Sequence, residues 1–213
     1  MYKYISMKTI SILAQKGGVG KSMLARSLAV QGLISGLKTV ILDTDPQGTV
    51  VSWSRRRQAA APAVMGLGSR GIGETLSDFA KRGADLVFID TPPHAQPVIN
   101  LAASVADAAL LVTGPYPEDL EQVSVVVGIV QNLNKPAGIV LNKTPSRAHA
   151  LALARAALTT FNLPLCPTAI TQLVAHPYAS AEGMSAQEWE TDSRAAVELA
   201  ELWGWVQKCL LVG

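Results

Sequence analysis

Ser11-Ile-Leu-Ala-Gln-Lys-Gly-Gly-Val-Gly-Lys-Ser22 is the stretch on which the whole chain turns. An apolar run from Ile10 to Ala14 feeds a glycine-rich loop, and a helical pattern opens at Lys21. Gly17, Gly18 and Gly20, with Val19 among them, let the backbone wrap an anion with its N–H groups pointing inward. The helix start adds unpaired N–H donors and the positive end of a dipole. Strand, glycine loop and helix in that order make a phosphate-binding P-loop. In it the Lys21 ammonium meets the β- and γ-phosphates and the Ser22 hydroxyl ligates Mg²⁺. Gln15 stands where the general pattern has glycine.

Working outward, apolar segments alternate with helical patterns along the chain. Strands are expected at Lys8–Ala14, Thr39–Leu42, Ala63–Leu67, Leu86–Asp90, Ala108–Thr113, Gly138–Asn142 and, briefly, Leu165–Ile170. Helices are expected at Lys21–Ser35, through Trp53 to Ala61, at Ile72–Arg82, Asp119–Leu133, Ser146–Phe161 and Asp192–Leu210. That alternation predicts a single α/β domain over residues 1–213: a doubly wound, mostly parallel sheet with helices on both faces. Residues 1–7 read as a short extension. With 49% hydrophobic and 16% charged residues, the composition suits strands buried on both sides.

Several strands end in a polar residue, namely Asp43, Asp90, Thr113 and Asn142. In a parallel sheet these ends share one edge with the glycine loop, where open α/β sheets bind ligands. Leu86-Val-Phe-Ile-Asp90 has the form of a Walker B strand, which delivers a carboxylate to the magnesium shell.

Other classes are excluded early. A net charge of +2 does not announce a nucleic-acid binder, so any DNA contact must be local. Cys166 and Cys209 stand alone, which argues for free thiols in a reducing cytoplasm and against zinc or iron–sulfur sites. The N-terminus has no secretory h-region. The apolar window Val98–Val112 is interrupted by Asn100, Ser104 and Asp107 and spans no membrane.

Lys16-Gly-Gly-Val-Gly-Lys-Ser22 resembles the deviant Walker A motif of the ParA/MinD family of ATPases. Asp43-Thr-Asp45-Pro-Gln47 matches that family's switch I segment. The resemblance runs over nearly the whole chain. Around Asp43–Arg57 and Thr168–Gln172 it is strongest to small, ParF-like plasmid-partition ParA proteins. It implies a Mg²⁺-dependent ATPase that hydrolyses ATP as a sandwich homodimer. Lys16 would cross the dimer to the partner's nucleotide, Asp45 would orient the attacking water, and Asp43 would support the magnesium shell or the switch. Asn142 would contact adenine, with the backbone of Met23 on the α-phosphate. The family usually has two hydroxyl residues after the lysine; Ser22-Met23 has one, which implies weaker nucleotide binding.

The same resemblance implies a function: DNA partition, with non-specific DNA bound by the ATP dimer and released when a centromere-binding, ParB-like partner stimulates hydrolysis. The protein would be cytoplasmic and nucleoid-associated when ATP-bound, without an N-terminal helix-turn-helix domain. The DNA surface itself is less visible. Arg55, Arg56 and Arg57 fan around a helix, Thr171–His176 is uncharged, and Arg194 and Lys208 lie near the end. The alternative is a MinD-like positioning ATPase acting on a membrane or protein cargo. Against a membrane, the apolar stripe Leu199, Leu202, Trp203, Val206 and Leu210 lacks basic residues opposite it, so it is expected to pack on the domain. A P-loop ligase would need neither Lys16 nor the Asp-Pro-Gln segment.

Overall fold

The computed structural model describes residues 6–145 and 148–211. Strands β1 (Lys8–Leu13), β2 (Thr39–Asp43), β3 (Ala63–Gly66), β4 (Leu86–Asp90), β5 (Ala108–Thr113) and β6 (Ala137–Leu141) form one sheet. Their order is β3-β2-β4-β1-β5-β6, and every neighbouring pair is parallel. From β1 the chain winds outward to β2 and β3, returns to β4 beside β1, then winds the other way to β5 and β6. The reversal falls at the centre of the sheet, where such folds open a crevice beyond the carboxyl ends of the strands.

Side chains alternate across the sheet with the two-residue period of a strand. Ile10, Ile12, Leu86 and Phe88 enter one core with α1 (Lys21–Ile34), α2 (Thr49–Arg56) and α9 (Arg194–Val206). Leu13, Leu42, Val87 and Ile89 enter the other, with α3 (Ile72–Lys81), α4 (Gln96–Val105), α5 (Pro117–Asn132) and α6 (Ala148–Thr159). Both faces are dry, which is why β4 and β5 are buried at every position. Leu199, Leu202, Trp203, Val206 and Leu210 are all buried, so the C-terminal stripe packs on the domain as expected. Beyond α9 the chain continues as a π-helical turn, Gln207–Leu211.

The helix expected to run through Trp53 to Ala61 stops at Arg56, because Arg57 turns extended and its side chain is drawn to Glu188, near the far end of the sequence. The window Val98–Val112 divides into α4 and β5. Pro97 in its first turn favours the helix start, and Asp107 between the elements accepts a hydrogen bond from the Thr9 amide (2.8 Å). The strand expected at Leu165–Ile170 is reduced to isolated bridges, Ile139 to Leu165 and Thr144 to Thr171. Pro164 and Pro167 remove two ladder donors there. Two short helices, α7 (Ala175–Ala181) and α8 (Ala186–Trp189), lie between that segment and α9. Ser146 and Arg147, the expected start of α6, lie outside the described residues.

Candidate nucleotide site

The loop after β1 occupies the middle of the carboxyl edge. Gly18 and Gly20 take positive φ (78° and 95°), and Gly20 caps α1 in the left-handed conformation. A side chain at Gly20 would also collide with the amide of Asn142. The loop after β4 braces it from outside: the His94 amide donates to the Gln15 carbonyl (3.2 Å), and Pro93 packs on Gly17. Lys21 is buried, and that burial pulls its ammonium below the ordinary lysine value against the opposing charges of Asp90 and Asp45.

Asp90 is the most unusual group at this edge. It is fully buried, yet neither carboxylate oxygen accepts a well-formed hydrogen bond among the described residues, the Ser22 hydroxyl lying close by. Burial pushes its pKa up to about 7, opposed by the neighbouring Ser22 hydroxyl and the Lys21 charge and reinforced by Asp43 and Asp45. The backbone around it is fixed, because the Thr44 amide and hydroxyl both donate to the Asp90 carbonyl and Thr91 Oγ1 donates to the Ile12 carbonyl. A buried, unpartnered carboxylate held beside a P-loop serine fits a divalent cation. No group of three or more His, Cys, Asp or Glu is placed to hold a metal ion among the described residues. The rest of such a shell would therefore come from phosphate and water, as Mg²⁺ prefers.

Asp43 and Asp45 divide their labour. Asp43 Oδ1 accepts from the Asp45 amide (3.1 Å), and Oδ2 accepts from the amides of Val50 (2.9 Å) and Val51 (3.0 Å). Its carboxylate is thus occupied with folding the switch segment and holding the first turn of α2. Asp45 accepts only from Gln47 (2.9 Å) and is half-exposed beside the loop.

A cavity of about 620 Å³ continues from the loop, walled by Met23, Arg26, Asn142, Lys143, Thr171 and His176 among others. Asn142 Nδ2 donates to the Val19 carbonyl (2.7 Å), so the amide nitrogen clamps the P-loop while Oδ1 is buried without a partner. Both ring nitrogens of His176 are buried and unpartnered, and burial holds this imidazole below its ordinary pKa. The uncharged segment Thr171–His176 forms part of the cavity wall. Lys16 Nζ pairs with Asp119 Oδ1 at the start of α5 (2.7 Å).

The cationic surface is thinner than the sequence suggests. Arg56 donates to the Ser180 carbonyl, Arg57 to Glu188 and the Gly183 carbonyl, and Arg194 to Glu198 and Thr171. Sequence reasoning misses Arg26, His176 and Asp119. Arg26 and His176 carry no motif, and Asp119 closes the segment Thr113–Asp119, in which no single side chain stands out.

A glycine loop opening a helix, a buried magnesium-ready carboxylate and a cavity alongside define a P-loop nucleotide-binding protein. Residues 10–186 match the family model of the CobQ/CobB/MinD/ParA nucleotide-binding domain, and the chain belongs to that family, whose ParA/MinD branch consists of ATPases. Its fold is that of MinD from Pyrococcus horikoshii complexed with Mg-ADP, at 21% identity and a TM-score of 0.73 over 95% of this chain and 96% of that one. It is also that of a Cyanothece McdA variant in complex with ATP (19%, 0.72, 98% of each chain). A protein of Borrelia burgdorferi B31 put forward as a plasmid partition protein, bound to AMPPNP, is similar as well (15%, 0.72, 95% and 99%). A sequence comparison with curated proteins finds no match.

Proposed function

We propose that this chain is a Mg·ATP-driven switch that hydrolyses ATP as a sandwich homodimer and partitions DNA. The observation that carries the nucleotide part is Asp90, ionisable, buried and unpartnered beside Ser22 and Lys21. Backbone N–H groups of Gly17 to Met23 cradle the phosphates and Lys21 neutralises them. Ser22 and Asp90 would hold Mg²⁺, which when bound supplies charge neutralisation on the β- and γ-phosphates. Asp45 positions the attacking water, and Asn142 Oδ1 is an acceptor for a base amino group. Lys16, half-exposed at the rim, can leave Asp119 for the nucleotide of a second copy.

DNA as cargo is favoured by the likeness to the Borrelia protein. The buried C-terminal stripe cannot also lie on a bilayer, and no helix among the described residues is long and apolar enough to cross one. A separate ParB-like partner would read sequence and trigger release, with the protein cytoplasmic and nucleoid-associated in its ATP state. The test is binding to a random-sequence duplex with Mg·ATP, with ADP and without nucleotide, across a salt titration. ATP-specific, salt-sensitive binding supports partition. Absence of DNA binding in every state, with ATP-dependent binding to vesicles or a protein, would move the cargo to that surface.

A further inference from the structure

Arg26 lies one turn beyond Ser22 on α1 and is 8% exposed. Its Nε donates to the Ser22 carbonyl (3.1 Å) and its Nη1 to Ser180 Oγ on α7 (2.7 Å). Its guanidinium carbon sits 5.6 Å from the centre of the Trp53 ring, and Arg57 lies over the same ring at 5.1 Å. The two cations are compensated differently. Arg57 has the Glu188 carboxylate, whereas Arg26 pairs with no carboxylate among the described residues. The charge of Asp90 favours the Arg26 cation without forming an ion pair with it; a buried cation so thinly compensated is costly, and such groups persist where something else completes them.

The completing group is indicated by the surroundings. Arg26 shares its cavity with the unpartnered Oδ1 of Asn142 and the unpartnered ring nitrogens of His176. The phosphates are already served on the other side of Ser22 by Lys21 and the loop amides. Arg26 instead reaches from α1 to Ser180 on α7, another wall of the cavity. Its Nη2, which makes no hydrogen bond among the described residues, and the guanidinium plane suit the lone pairs and π-face of a nucleoside.

We propose that Arg26 is a nucleoside-contacting residue, recognising the base and ribose of the bound nucleotide. This rests on the nucleotide reading above. The test is calorimetric titration of the full chain with Mg·ADP and with inorganic tripolyphosphate, before and after Arg26→Met. The variant keeps an apolar stem and loses the cation. ADP affinity is expected to fall about tenfold or more while tripolyphosphate affinity stays within about twofold. Equal loss on both probes would mean a distorted phosphate loop and would overturn the assignment, as would unchanged ADP affinity. If Arg26→Met does not fold, Arg26→Lys is read by the same pair of probes, since one ammonium cannot serve Ser22, Ser180 and a nucleoside together. A wild-type chain that binds neither probe would sink the nucleotide reading itself.

Discussion

Lys16 Nζ lies 2.7 Å from Asp119 Oδ1 of its own chain, an ion pair between the glycine loop and the first turn of α5. The lysine is 41% exposed and the carboxylate 8% exposed, so one partner is free to leave and the other is anchored. Asp119 Oδ2 accepts from the Tyr116 amide (3.4 Å), and Thr113 Oγ1 donates to the Asp119 carbonyl (3.1 Å). Gly114 leaves the room, since a Cβ there would overlap the carboxylate. The hydrogen bond to Asp119 raises the Lys16 pKa further, so the ammonium is charged in either position.

If Lys16 serves a second copy, it must first give up Asp119. Asp119→Asn removes that competitor and is expected to tighten ATP-dependent self-association by about two- to fivefold, the worth of an exposed pair. Sedimentation of the two proteins with Mg·ATP measures it. Weaker association of the variant would show that Asp119 supports the dimer.

Asp90 makes the nucleotide-free protein sensitive to pH. A carboxyl whose folded value, about 7, lies above its ordinary 3.8 binds its proton more tightly in the native state. Its stabilising contribution is full below the lower value and is lost as pH rises through the higher one. Asp90→Asn is expected to stabilise the nucleotide-free chain by on the order of 2 kcal/mol above neutral pH, and to abolish magnesium-dependent nucleotide binding. Thermal melts across pH, with and without Mg·ADP, read both effects. A variant less stable than wild type at high pH would contradict the buried, unpartnered state.

Arg57 and Glu188 join α2 to α8, with the Arg57 side chain only 5% exposed. Burial alone would push the Glu188 carboxyl up; hydrogen bonds from Arg57 and the Ser185 backbone outweigh it and hold it below the usual range. Glu188→Gln leaves a buried guanidinium without its counter-charge and is expected to cost about 3 kcal/mol. For a chain of this size that lowers Tm by roughly 6–12 °C. Replacing both partners by Met should cost less than the single change, and the reverse order of melting temperatures would refute the reading.

Met23 occupies the position after the P-loop serine and lines the cavity, its sulfur accepting from Ser27 Oγ at 3.6 Å. Met23→Thr supplies a hydroxyl beside the expected α-phosphate. A gain in ATP affinity of about three- to tenfold is expected from one added hydrogen bond. Titration that shows no gain would mean the side chain at this position does not meet the phosphate.

The parts of the molecule that the sequence discloses are those in which local chemistry and fold agree. Glycines before Lys21, apolar runs closing in Asp43 and Asp90, and the C-terminal stripe each specify their own surroundings. What it conceals depends on distant partners. Nothing near Arg57 indicates that the helix must end there, because the reason is Glu188, more than a hundred residues later. Arg26 carries no local sign of its burial, and only α7 and Trp53 turn it into a cavity wall. The prolines at 164 and 167 are visible, but an apolar run outweighs them in a segment that forms only bridges.

The most direct test of the sandwich dimer is complementation between Lys16→Ala and Asp45→Ala. Each protein alone should lack ATP turnover, the first without its crossing lysine and the second without its water-positioning carboxylate. In a mixed dimer the Lys16→Ala subunit keeps Asp45 and receives Lys16 from its neighbour. With random pairing, half the dimers are mixed and one of their two sites is whole, so turnover should return to about a quarter of wild type. A mixture as inactive as its components would show that Lys16 acts within its own chain.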